Sequence, residues 1–98
     1  MHFEFRSKQL QELYTSEKGA HKYAVGVVDA YFDVISSVHA AIDERDLLAL
    51  RGLRYEKLKG KRAGECSLRL NDQWRLIVIS TRNEEGPFLE ILEIADYH

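Results

Sequence analysis

Apolar residues in the first half of the chain recur with the spacing of amphipathic helices. From residue 21 to 42 they fall at i, i+3 and i+4 positions, which predicts one long helix. A shorter pattern of the same kind predicts a helix over 8–17, with Ser7 as its N-cap. Asp43 then stands where it could cap a short helical turn that continues to Leu50. The first half of the chain is therefore expected to be mainly helical.

The second half of the chain has the patterns of β-strands. These patterns predict strands over 53–58, 65–70, 73–81 and 88–95, and a weaker alternation predicts one over 2–6. Short loops join the last four strands, so these four must run antiparallel. The order of strand, two helices and four strands predicts an α+β fold in which two helices pack on one face of the sheet. The other face is expected to be open.

The composition is that of a single soluble domain over residues 1–98, with 45% hydrophobic and 31% charged residues. The one cysteine, Cys66, excludes an internal disulfide framework and a cysteine-rich zinc site, and it fits a reducing cytoplasm. No apolar run has the roughly 18 residues of a membrane span, so we expect a cytoplasmic protein without membrane association. No phosphate-binding glycine loop or metal-ligand spacing occurs, and we expect neither a metal nor another cofactor.

Positive charge is concentrated in the middle of a chain whose net charge is −2. Residues 51–75 hold eight Lys/Arg and three Asp/Glu, while both flanking segments are net negative. A basic centre of this kind can focus a field on an anionic ligand. The alternative is that these are ordinary solvated charges of strands and loops, and the pattern alone leaves both open.

Two residues are candidates for proton transfer on the pattern alone. Glu56 lies among Arg54, Lys57 and Lys59, where a carboxylate could act as a general base. The alternative for Glu56 is a surface ion pair. His98 follows the last predicted strand, which leaves two interpretations: a frayed terminus, or an imidazole held near the sheet.

Three motifs follow one another in the second half of the chain. They are Leu-Lys-Gly-x-Arg-x-Gly at 58–64, Asn-Asp-Gln-Trp-Arg at 71–75 and Asp-Tyr-His at 96–98. Together they resemble the HigB-type toxins, the plasmid maintenance system killer branch of the RelE/ParE superfamily. The resemblance covers the C-terminal half in its residues and the N-terminal half in its helical layout. It implies a RelE-like fold, with two N-terminal helices packed on a twisted antiparallel sheet.

The resemblance also implies a function, that of the toxin in a type II toxin–antitoxin system. Such toxins enter the A site of the ribosome and cleave mRNA without a metal, which inhibits translation and growth. An antitoxin of the HigA-like helix-turn-helix kind holds them inactive. The free toxin is expected to be a monomer, with a heterotetramer as one form that the complex could take.

Metal-free RNA cleavage needs a base for the 2′-hydroxyl proton, cations for the charge on phosphorus and an acid for the leaving 5′-oxygen. By resemblance, Lys59 and Arg75 are the cations. Tyr97 and His98 would transfer protons, and Asp96 would orient them. The expected RNA-binding residues are Arg54, Lys57, Lys61, Arg62, Arg69 and Gln73.

One position departs from part of the family. Some members carry an active-site histidine two residues before the leucine of the first motif, where this chain has Glu56. Three interpretations stay open: Glu56 is the base, His98 takes that task, or the activity is low. Two other functions stay open as well: a ParE-like protein that blocks DNA gyrase without chemistry, and an inactive homologue kept as a partner for its antitoxin.

Overall fold

The computed structural model describes residues 1–96, which form five β-strands and three α-helices. One strand comes first, the helices follow it, and four strands complete the described chain. The elements are β1 His2–Phe5, α1 Lys8–Ser16, α2 Val27–Ala40, α3 Glu44–Ala49, β2 Glu56–Lys57, β3 Cys66–Arg69, β4 Trp74–Asn83 and β5 Gly86–Asp96.

The five strands form one sheet in the order β1-β5-β4-β3-β2. β2 to β5 pair antiparallel with their neighbours, as their short connections require. β1 differs from the expected antiparallel sheet because it pairs parallel with β5, where His2 lies opposite Phe88. Helices and three strands separate β1 from β5 along the chain, so no hairpin constrains their relative direction. The α+β class is confirmed, and the sheet is mixed at this one edge.

The hydrophobic core lies between the helices and one face of the sheet. Tyr31 of α2 is fully buried, and its hydroxyl donates a hydrogen bond to Leu10 O at 2.9 Å. Cys66 is buried on the same face, as the strand alternation around it predicts. The other fully buried core residues include Leu13, Ile35, Val38, Leu47, Leu68, Leu76, Val78, Leu89 and Ile91.

The helix boundaries follow local backbone signals. Ser7 accepts a hydrogen bond from Leu10 N at 3.2 Å and so caps α1, as predicted. Asp43 caps α3 in the same way through Arg45 N at 2.9 Å. α2 begins well after the predicted residue 21, because Gly26 has a φ of 85° that an α-helix cannot continue through. Among residues 1–96, no helix is long and apolar enough to cross a membrane.

The predicted strand over 53–58 is shorter than expected, and the face away from the helices is less open. A 3₁₀ turn ends at Leu53, Arg54 has a left-handed φ of 45°, and only the two residues of β2 pair. On the face away from the helices, Ser67 and Ile77 are 0% and 3% exposed. The turn at Arg54 accounts for the burial of Ser67, because Arg75 crosses this face to bond the Arg54 carbonyl.

Candidate active site

A nearly buried arginine lies on the face of the sheet that is turned away from the helices. Arg75 extends from β4, and only 7% of its side chain is exposed. Its Nη1 donates to Arg54 O at 3.0 Å and to Ser67 Oγ at 3.4 Å. Its Nη2 lies 3.4 Å from Glu56 Oε1, and 46% of the Glu56 side chain is exposed. The structure therefore brings Arg75 and Glu56 into direct contact, with the carboxylate at the surface.

Glu56 is held from both sides of the sheet. On one side Arg75 bonds the backbone two residues before it. On the other side Tyr55 is buried, and its hydroxyl donates to Glu44 Oε2 at 3.1 Å. Burial raises the pKa of Tyr55, which keeps the hydroxyl protonated as a donor. Glu44 also accepts a hydrogen bond from Ser80 Oγ. These contacts fix a segment that the two-residue strand β2 could not fix by pairing alone.

Lys59 stands at the entrance of a tight basic loop between β2 and β3. The 3₁₀ turn Gly60–Arg62 follows it. Leu58 N donates to Glu65 O at 2.9 Å and closes the loop. Lys59 is exposed. This loop directly follows the strand that carries the half-exposed carboxylate of Glu56.

Arg62 in this loop contacts two carboxylates. Its Nη1 donates to Glu65 Oε1 at 2.7 Å and its Nη2 donates to Glu93 Oε1 at 3.1 Å. The hydrogen bond to Glu65 raises the pKa of Arg62 above its usual value. Glu93 lies on β5, so the basic loop is connected to a distant strand. Arg62 is one of the expected RNA-binding residues, whereas no role was expected for Glu93.

Three further predicted residues gather at the end of the sheet where β3 turns into β4. Arg69 is the register partner of Arg75. Arg69 Nη2 donates to Asp72 Oδ1 at 2.5 Å, and this bond lowers the pKa of Asp72. Gln73 Nε2 donates to Asp96 Oδ2 at 3.3 Å, which joins the turn to the last described residue of β5. Arg69, Gln73 and Asp96 therefore lie at the same end of the sheet as Arg75.

The structure separates one predicted residue from this group. The register partner of Lys57 is Cys66, which faces the core. Lys57 lines a cavity of about 300 Å³ on that side together with Glu44.

Tyr97 and His98, the predicted proton-transfer residues, lie outside the described residues. Within the described range 1–96, no cluster of His, Cys, Asp and Glu is arranged to hold a metal ion.

Two residues of the site, Ser67 and Glu93, were not predicted from the sequence. Ser67 lies on the face of the sheet that was expected to be open, but it is buried and accepts a hydrogen bond from Arg75. Ser67 lies two residues before Arg69 on the same strand, and alternate residues of a strand share a face. This spacing was the available signal that Ser67 lies beside the basic residues. Glu93 had no comparable signal, since its contact with Arg62 joins segments 31 residues apart.

Replacing Arg75 with glutamine is expected to lower the free energy of unfolding by about 1.5–3 kcal/mol, the usual range for hydrogen bonds to charged groups. The change removes charged donors from Ser67 Oγ and Arg54 O, while the exposed part of Glu56 can regain water and so limit the loss. Chemical denaturation measures the effect. Arg82→Gln, at an exposed position of the same strand, is the control and should change stability by less than about 0.5 kcal/mol. Equal losses in the two variants would contradict a structural role for the Arg75 contacts.

Solved toxin structures share this fold. A YoeB/ParE toxin from Agrobacterium tumefaciens has a TM-score of 0.59 at 16% identity, and the match covers 100% of both chains. A heterotetrameric YoeB–YefM toxin–antitoxin complex from Staphylococcus aureus contains a chain with a TM-score of 0.57 at 19% identity, over 100% of this chain and 97% of that one. The fold is therefore that of the RelE- and YoeB-like toxins, as the resemblance implied.

The sequence comparisons define the family more narrowly. The family of HigB-like toxins, described as the RelE-like toxin of the type II toxin–antitoxin system HigB, matches residues 3–97. Toxin HigB-1 of Vibrio cholerae serotype O1 is 36% identical over 77 residues, which make up 79% of this chain and 81% of that protein. The chain belongs to the HigB-like toxins of type II toxin–antitoxin systems.

Proposed function

We propose that this HigB-like toxin is an endoribonuclease that cleaves mRNA on the ribosome without a metal ion. The observation that carries the proposal is the contact of Glu56 with Arg75, a half-exposed carboxylate 3.4 Å from a nearly buried guanidinium. A base and a cation this close together could act on one ribose and its phosphate. Family membership supports the same activity, since HigB and RelE toxins are known as endoribonucleases.

In the proposed reaction, Glu56 removes the proton of a ribose 2′-hydroxyl. The 2′-oxygen forms a bond to the adjacent phosphorus, and the bond from phosphorus to the 5′-oxygen breaks, which leaves a 2′,3′-cyclic phosphate and a 5′-hydroxyl end. Arg75 and Lys59 stabilise the negative charge that develops on the phosphoryl oxygens. Tyr97 or His98 gives a proton to the 5′-oxygen, and Asp96 orients that donor.

Other polar residues would hold the RNA backbone. Arg69 lies on the face of Arg75, Arg54 precedes the proposed base by two residues, and Lys61 is exposed on the loop of Lys59. Each contact between a cation and a phosphate releases counterions, so the affinity for RNA should fall as salt rises. Gln73 at the turn completes the proposed RNA-binding surface, apart from Arg62, which is treated below. Lys57 lies on the opposite face of the sheet and is therefore left out of this surface.

We also propose a HigA-like helix-turn-helix antitoxin as the partner that holds this toxin inactive. Membership of a type II toxin–antitoxin family supports an antitoxin. The Staphylococcus aureus YoeB–YefM complex, which is heterotetrameric, supports a heterotetramer as one form that the complex could take. The free toxin is proposed to be a monomer. The toxin would act as one domain over residues 1–98, in the cytoplasm where mRNA is translated.

The two alternatives have less support. A ParE-like inhibitor that blocks DNA gyrase needs no base beside a cation, and membership of the HigB-like family does not favour it. An inactive homologue kept only for its antitoxin needs no carboxylate beside a cation, whereas this chain has Glu56 in contact with Arg75.

Induction of the untagged toxin is expected to produce cuts inside translated reading frames. Cellular mRNA is collected after a short induction, its 5′-hydroxyl ends are phosphorylated enzymatically, and the ends are mapped. Because the ribosome presents mRNA codon by codon, the cuts should keep a fixed position within the codon. The Lys59→Ala variant, expressed to the same level, should lack them.

Other outcomes would contradict the proposal in different ways. Growth arrest with intact mRNA would reject cleavage and favour a blocked target such as gyrase. Cuts of equal density in untranslated RNA would reject the ribosome requirement. No arrest and no cuts would favour the inactive homologue.

A further inference from the structure

One arginine joins the segment just before β3 to β5, although β3 and β5 are not neighbours in the sheet. Arg62 Nη1 donates at 2.7 Å to Glu65 Oε1, just before β3, and Arg62 Nη2 donates at 3.1 Å to Glu93 Oε1 on β5. β4 lies between β3 and β5 in the sheet. Through Glu65 and Glu93, Arg62 therefore fastens the loop between β2 and β3 to β5, on the far side of β4.

The backbone of Arg62 belongs to the loop that carries Lys59. Glu65 N donates to Arg62 O at 2.9 Å, and Leu58 N donates to Glu65 O at 2.9 Å. Glu65 thus holds the loop through its backbone and holds Arg62 through its side chain. A movement of Arg62 relative to β5 would move Lys59, which lies three residues earlier in the same loop.

The strand register connects Glu93 to the proposed base. Glu93 pairs with Ile77, Ile77 pairs with Ser67, and Ser67 pairs with Glu56. These residues form one row across the sheet. The Arg62 contact therefore fixes the Lys59 loop relative to the row that ends at Glu56.

We propose that Arg62, Glu65 and Glu93 are positioning residues that hold Lys59 for RNA cleavage, an inference that rests on the proposed function above. Both Nη atoms of Arg62 already donate to carboxylates, which partly neutralise its charge and so weaken its attraction for a phosphate. Exposed ion pairs contribute little to global stability. A small displacement of a catalytic cation, in contrast, slows a reaction strongly. Loss of the network should therefore appear in the cleavage rate and hardly at all in the melting temperature.

Glu93→Gln is the variant that tests this network, and Glu90→Gln is its matched control. Both glutamates lie on β5, and each accepts a hydrogen bond from an arginine, Arg62 or Arg6. Single-turnover cleavage of mRNA on programmed ribosomes gives the maximal rate and the half-saturating toxin concentration. We expect Glu93→Gln to lower the maximal rate about 10–100-fold with an unchanged half-saturating concentration. Glu90→Gln should change neither.

A second variant checks that the two partners act together. Arg62→Gln should lower the maximal rate at least as much as Glu93→Gln, because it also removes the hydrogen bond to Glu65. The variant that carries both changes should lose nothing further, because residues in one network are not additive.

If Arg62 instead binds RNA directly, Glu93→Gln should strengthen RNA binding and not slow the cleavage step. Glu93→Gln would then release Arg62, lower the half-saturating concentration and steepen its dependence on salt. That result, or unchanged kinetics, overturns the positioning role in an active toxin. A wild-type toxin that cleaves no RNA overturns the proposed function instead. Amide hydrogen exchange at Leu58 and Glu65 then tests whether the network holds the loop. Faster exchange in Glu93→Gln but not in Glu90→Gln supports the network. Equal exchange in these two variants overturns it.

Discussion

Replacing Glu56 with glutamine is expected to slow mRNA cleavage about 10²–10⁴-fold, the usual contribution of a positioned general base. Glutamine has the shape of glutamate and keeps an oxygen that can accept from Arg75, but it cannot take the 2′-hydroxyl proton. Tyr55 and the Arg54 backbone should remain in place, because their contacts do not involve the Glu56 side chain. The measurement is single-turnover cleavage on programmed ribosomes, together with thermal unfolding of each variant.

The control for Glu56 is Glu84→Gln, an exposed glutamate in the loop between β4 and β5. It should cleave at the rate of the unchanged toxin and unfold at the same temperature. A Glu56→Gln toxin that cleaves as fast as this control would remove Glu56 as the base. The role of the base would then pass to His98.

Replacing Lys59 with alanine is expected to lower the maximal cleavage rate about 10²–10³-fold, the usual cost of removing one preorganised donor that stabilises transition-state charge. Lys59 is exposed at the entrance of its loop, and the hydrogen bonds that close the loop use backbone atoms of other residues. The fold should therefore tolerate the change, and the melting temperature should stay within about a degree or two, as for most surface substitutions. Rate against toxin concentration, measured on programmed ribosomes, separates this effect from binding.

Lys61→Ala is the matched comparison, because Lys61 is an exposed lysine two residues later in the same loop. It should raise the half-saturating toxin concentration and reduce its salt dependence, with a smaller change in the maximal rate. Lys59→Arg should retain part of the activity, since it keeps the positive charge. A Lys59→Ala toxin that changes only the half-saturating concentration, as Lys61→Ala does, would show that Lys59 binds RNA and takes no part in the chemistry.

Short-range signals in the sequence predicted much of the fold correctly. Ser7 and Asp43 cap the helices that they were expected to cap, because an N-cap depends only on the following turn. The antiparallel order of β2 to β5 followed from short connections. The errors came where apolar spacing and backbone conformation disagree. Gly26, with its left-handed φ, delays α2, and the turn at Arg54 replaces most of the strand expected over 53–58.

The sequence by itself determined the family and the residue types of the site. Its three motifs carry the resemblance to HigB-type toxins, and they include several cations and the end of β5. Glu56, the proposed base, stands two residues before the first motif. Only the tertiary structure decided that Arg75 is nearly buried against Glu56, and that Arg62 connects its loop to Glu93. These contacts bond Arg75 to Arg54 across 21 residues and Arg62 to Glu93 across 31 residues. Such contacts depend on how the strands pair, and local residue patterns contain no information about which distant segments will meet.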